Sequence, residues 1–134
     1  MRLRGITVLV VEDDLDNLEL LVLCLETEGA HVLQAESVAQ ALAASVGRHV
    51  DVLVADLGLP DGDGGELLQR LRARDGAAKL PAIAVSGYSE GQWRPQASAT
   101  GFQRYAIKPF SLDSLVKAIA VLKRGDADDE SPLV

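Results

Sequence analysis

Four strand-like runs in this chain stop at a side chain able to do polar chemistry. The central one is DVLVADLGLPDGDGG, residues 51 to 65. Val52 to Ala55 is unbroken and apolar, as expected of a strand buried on both faces of a parallel sheet. It ends at Asp56, and Gly58, Pro60, Gly62, Gly64 and Gly65 follow, a composition that predicts a loop without regular structure. The run 6 to 11 ends at Glu12, Asp13 and Asp14, Pro81 to Val85 ends at Ser86, and Phe102 to Ile107 ends at Lys108. If these strands adjoin, all four groups meet at one sheet edge, outside the carboxyl ends where open α/β sheets bind ligands. Carboxylates gathered there repel, and at neutral pH they need a cation or a raised pKa. A hard divalent ion such as Mg²⁺ is the simplest neutraliser. Acids with a metal, a lysine and a hydroxyl would cradle a phosphoryl group, and Asp56 is the candidate nucleophile.

The elements that must hold these groups alternate. Asp14 is placed to cap a helix whose apolar body runs from Leu15 to Leu25 and ends at Gly29. His31 to Ala35 is a short strand expected at an edge. Ser37-Val38-Ala39-Gln40 has the form of a capping box and starts a helix closed by Gly47. Asp63 and Glu66 bracket the next helix start, with Leu67, Leu68 and Leu71 inward, and Asp75-Gly76 breaks it. Ser89 to Thr100 is expected to be helical, with Gly91 and Pro95 against it. Ser111 caps a last helix whose inner face is Leu112, Leu115, Val116 and Ile119. Five βα units predict an α/β domain with a parallel sheet.

The 134 residues suffice for one domain with a core, expected over 1–124, followed by an acidic tail over 125–134 without fixed structure. A net charge of −7 gives no general attraction for nucleic acid or anionic membrane. No stretch is apolar enough for a membrane span and no secretory signal opens the sequence, which points to the cytoplasm. Cys24, the single cysteine, can form no internal disulfide.

Taken together, VLVVEDD at 8 to 14, DLGLPDGDG at 56 to 64, AVSGY at 84 to 88 and YAIKPF at 105 to 110 resemble the receiver domains of two-component response regulators, over roughly residues 5 to 123. The resemblance implies a doubly wound, flavodoxin-like fold with five parallel strands in the order 2-1-3-4-5. It implies that Asp56 accepts a phosphoryl group from the phosphohistidine of a histidine kinase or histidine phosphotransfer domain. Asp13, Asp56 and the backbone carbonyl of Gly58 would ligate Mg²⁺, with Glu12 acting through water. Ser86 and Lys108 would meet the phosphoryl oxygens, Lys108-Pro109 would be a cis bond, and Tyr105 would be the switch aromatic. The chain would then be a phosphorylation switch rather than a turnover enzyme, either free-standing or excised from a hybrid kinase.

Other readings compete. The acids 12 to 14 could simply favour a helix N-terminus. Asp61-Gly62-Asp63 faintly resembles a calcium loop, but Arg72 stands where its closing glutamate belongs. An aspartate-nucleophile phosphatase would need an acid at Gly58, and a nucleotide binder would not carry three acids after its first strand. A receiver-like interaction module that is never phosphorylated is the remaining alternative. His31, His49 and Cys24 are read as structural. On the first helix, Leu15, Leu18, Leu21, Val22 and Leu25 form the stripe expected to face the sheet. Leu20 and Leu23 fall opposite, near Asp16 and Glu19. Leu20, with Asp16 and Asn17 at its rim, is the expected contact for a phosphodonor, although a homodimer would use the same patch.

Overall fold

The computed structural model describes residues 1–74, 76–86, 101–125 and 133. Within them five strands, β1 (Thr7–Val11), β2 (His31–Ala35), β3 (Val52–Asp56), β4 (Ala82–Ser86) and β5 (Arg104–Ile107), form one parallel sheet in the order β2-β1-β3-β4-β5. Helices α1 (Leu15–Thr27), α2 (Val38–Ala44), α3 (Gly64–Arg72) and α4 (Leu112–Arg124) pack on its two faces. The expected doubly wound architecture is the observed one, with β2 at an edge.

Side-chain alternation explains the two layers. Leu9, Val11, Leu53, Ala55, Ala82 and Ala84 share one buried cluster with α2 and α3 residues such as Ala41, Leu67 and Leu68. Val8, Val10, Val52, Val54, Ile83 and Val85 share the other with Leu18, Leu21 and Leu25 of α1 and Leu115 and Ile119 of α4. Every strand of the sheet's centre is therefore covered twice, which is why its sequence is continuously apolar rather than alternating. The register Val11↔Ala55, Asp56↔Val85 and Ser86↔Ile107 aligns the carboxyl ends. Because the chain leaves β1 towards β2 and returns on the other side as β3, the crevice between β1 and β3 lies where the winding reverses.

Four local expectations differ from what the chain adopts. Leu15 is 55% exposed instead of facing the sheet, because it is the first helical residue and lies beyond the end of the layer that buries Leu18. The loop after Asp56 is not free of regular structure: Gly58–Leu59 pairs antiparallel with Gly62–Asp63 around the Pro60-Asp61 tip. Helix α2 stops at Ala44, two residues short of the expected approach to Gly47, where the Ser45 hydroxyl donates back to the Ala41 carbonyl. Its capping box is shifted, since Ser37 Oγ accepts from the Gln40 N–H but the Gln40 side chain accepts from Glu36. At the other end of the chain, Leu133 is buried beside β5 and its N–H donates to the Tyr105 carbonyl at 2.9 Å. The expected helix over 89–100, with Trp93 and Pro95, lies outside the described residues.

Candidate functional site

The acids that end β1 divide their labour. Asp14 caps α1, its Oδ1 accepting from the Asn17 N–H at 3.1 Å. Glu12 and Asp13 are thereby left to the crevice, so the helix-terminus explanation holds for Asp14 alone. Oxygens of Glu12, Asp13 and Asp56 lie within 4.8 Å of one another. Glu12 is 2% exposed and Asp13 is open to solvent. A carboxylate that deep is held by its surroundings: Glu12 Oε1 accepts from the Asp14 N–H at 3.3 Å, and its own N–H donates to the Ala35 carbonyl.

Lys108 reaches into this cluster from the end of β5. Its Nζ lies 3.0 Å from Asp56 Oδ2 and 3.3 Å from each oxygen of Glu12. The Lys108 N–H donates to the Ser86 carbonyl at 2.7 Å, and Lys108-Pro109 is cis, as the resemblance implied. Burial pushes the Glu12 carboxyl above its ordinary range and the Asp56 carboxylate adds to that, with Lys108 opposing. For Lys108, burial works against its charge, but the Asp56 and Glu12 carboxylates outweigh it and its pKa rises. One ammonium facing two acids leaves a net negative pocket, a donor set of hard oxygens that fits Mg²⁺.

The loop after β3 is fixed from several sides. Asp56 Oδ1 accepts from the Gly58 N–H at 3.0 Å, and the Leu57 N–H donates to the Val85 carbonyl. Gly64 packs against the backbone of Asp56 so closely that a Cβ there would lie 2.6 Å from the Asp56 carbonyl oxygen. Asp61 binds the loop tip to α2, its two oxygens accepting from the Val38 and Ala39 N–H groups at 2.8 and 3.0 Å. Asp63 Oδ1 accepts from the Glu66 N–H, so both acids of the calcium-like triplet are helix caps. Asp61 is the residue sequence reasoning missed. Its position, a helix away from its partners, carried no local signal.

Ser86 is buried at the end of β4, next to the strand that bears Lys108, and Tyr105 is buried in the cluster on the α3 side of the sheet. Asp16, Asn17 and Leu20 are exposed on α1, which begins two residues after Asp13, and Leu20 is 51% exposed. His49 bonds Asp51, and Cys24 is half-buried in α1.

This fold, with three acids at the carboxyl ends of β1 and β3 and a lysine after the edge strand β5, defines a class of signalling domain. The chain belongs to the response regulator receiver domain family, whose model matches residues 8–120. Among its curated relatives is the phosphate regulon transcriptional regulatory protein PhoB of Pseudomonas aeruginosa, 35% identical over 96% of this chain and 57% of that protein. The chain thus spans little more than half of that relative. A sensor protein from Polaromonas sp. JS666 superposes with a TM-score of 0.80 at 29% identity, covering 92% of this chain and 99% of that one. The receiver domain of a Pseudomonas aeruginosa PAO1 sensor histidine kinase, solved with magnesium coordinated in its active-site cleft, gives 0.79 at 26% identity, over 90% and 98%. No described helix is long and apolar enough to cross a membrane.

Proposed function

We propose that this receiver domain is switched by phosphorylation of Asp56, with a histidine kinase or histidine phosphotransfer domain as donor. The observation that carries the reading is the contact of Lys108 Nζ with Asp56 Oδ2 inside a cluster of three carboxylates. In the reaction an Asp56 oxygen forms a bond to phosphorus while the phosphorus–nitrogen bond of the donor's phosphohistidine breaks, and the imidazole leaves with the electron pair. Asp13, Asp56 and the Gly58 carbonyl would hold Mg²⁺, with Glu12 behind them through water. The ion, when bound, offsets charge on the carboxylates and the transferring group. Lys108 turns from the Asp56 carboxylate to a phosphoryl oxygen, and the Ser86 hydroxyl donates to another.

Movement of Ser86 towards the phosphoryl group frees space for Tyr105, so the perturbed surface is β5 with the segments either side of it. The donor approaches across the start of α1, where Leu20 is the apolar contact and Asp16 and Asn17 set specificity. The domain works in the cytoplasm and binds no nucleic acid itself. Replacing Asp13 with Ala tests the metal assignment: Mg²⁺ affinity by calorimetry and labelling by acetyl phosphate should fall together. A variant that loses labelling with unchanged Mg²⁺ affinity removes Asp13 from the metal site.

A further inference from the structure

At the opposite end of the sheet from Asp56, the α2–β3 and α3–β4 connections border an open cavity of about 570 Å³. That volume is within the range of roughly 300–1,000 Å³ typical of small-molecule sites. Arg48, Arg74, Lys79 and Lys123 line it against a single carboxylate among the described residues, Asp51. This excess of cations stands out in a chain with a net charge of −7.

The one acid is already engaged. Asp51 accepts from the Thr7 N–H at 2.8 Å and from Lys123 Nζ at 2.8 Å, and it bonds His49 Nε2 at 2.9 Å. Arg74 is in the reverse position. Its guanidinium is half-buried and held between two elements, donating to Ser45 Oγ and to the Leu42 carbonyl, each at 2.8 Å. Both acceptors are neutral, and no carboxylate among the described residues pairs with Arg74. A guanidinium has five N–H donors in a rigid fork, so most of the donors of Arg74 remain for a ligand. At the rim, Arg48 and Lys79 are exposed and likewise form no ion pair among the described residues. A fixed, half-buried cation without an anion among the described residues, flanked by two exposed ones, matches a polyanion with more than one charged group. Leu71, Leu80 and Pro81 give the same cavity an apolar wall.

We propose that this cavity binds a nucleotide-sized phosphate ester, with phosphate on Arg74, Arg48 and Lys79 and the organic part against Leu71, Leu80 and Pro81. The site is independent of phosphorylation at Asp56. Amide NMR of the full chain in Mg²⁺-free buffer tests it, with ATP, tripolyphosphate and adenosine titrated separately. ATP should give saturable shifts in residues 45–51 and 76–81 and at Lys123, tripolyphosphate should bind more weakly, and adenosine should not bind. The double variant Arg48→Glu, Lys79→Glu should weaken ATP binding at least about tenfold with an unchanged urea midpoint. Tripolyphosphate binding as tightly as ATP would overturn the role given to the apolar wall. Failure of ATP to saturate at millimolar concentration, shifts gathered around Asp56 instead, or an affinity indifferent to the charge reversals would overturn the site.

Discussion

Gly64 is the position where the fold and the phosphorylation site are most tightly joined. Its backbone is not in the left-handed region, so the glycine is needed for space rather than for torsion. A Cβ there would lie 2.6 Å from the Asp56 carbonyl oxygen, 3.3 Å from the Asp56 carbonyl carbon and 3.4 Å from Leu57 Cα. Ordinary non-bonded contacts settle near ~3.5 Å, so strand end and helix start must part by roughly 0.9 Å. The obstacle is backbone on both sides, which cannot rotate away. Overpacking of this kind costs about 1–3 kcal/mol. The displaced group carries the carboxylate itself, and a shift approaching 1 Å at reacting groups can slow a reaction by ~10²-fold. Gly64→Ala should therefore lower the urea midpoint by an equivalent of about 1–3 kcal/mol and slow acetyl-phosphate labelling by roughly tenfold or more. Gly58→Ala is the matched control, because a Cβ at Gly58 meets nothing within 4 Å. It should stay within about 0.5 kcal/mol of the parent. A Gly64→Ala protein with the parent's midpoint and labelling rate would refute the argument.

Three further outcomes are expected. Asp51→Ala removes the acceptor of the Thr7 N–H and the partner of Lys123, and should cost about 2–3 kcal/mol near neutral pH, with the exposed end of Lys123 adding little. Burial works against the Asp51 charge, but Lys123, the Thr7 N–H and His49 outweigh it and hold its pKa below the ordinary 3.8; the stabilisation is thus present above that value and lost as pH falls below it, and a difference in urea midpoint that persists unchanged in strong acid would contradict the assignment. Leu20→Glu should leave the urea midpoint and small-donor labelling intact while cutting transfer from the cognate kinase at least tenfold, about 1.4 kcal/mol, and undiminished transfer would remove α1 from that interface. Beryllofluoride bound at Asp56 should shift amide signals of Ser86 and residues 101–110, and shifts confined to the acidic cluster would contradict the Tyr105 switch.

The sequence disclosed most of what is local or periodic. Continuous apolar runs marked β1, β3 and β4, and their terminal residues identified the chemistry because a parallel sheet aligns strand ends. The caps Asp14, Ser37, Asp63 and Ser111 were legible since each bonds an N–H three residues on. What stayed hidden depends on chain segments far apart. Helical periodicity put Leu15 on the inner stripe, but periodicity does not say where the covering layer ends. Asp61 looked like part of a calcium loop, and only the packing of the loop tip on α2 shows its carboxylate engaged there. The acidity around residues 125–134 gave no hint that Leu133 would lie beside Tyr105. Gly64 read as one loop glycine among several, since a close approach leaves no trace in composition.

The central claim is that Asp56 is the residue that accepts the phosphoryl group, and intact mass analysis after incubation with acetyl phosphate and Mg²⁺ tests it most directly. The parent chain should gain a single phosphoryl group, lost on treatment with hydroxylamine, which cleaves acyl phosphates. Asp56→Asn should gain none while keeping the parent's urea midpoint to within about 1 kcal/mol. Labelling of the Asp56→Asn chain at the parent's rate would contradict the account, whatever residue then carried the group.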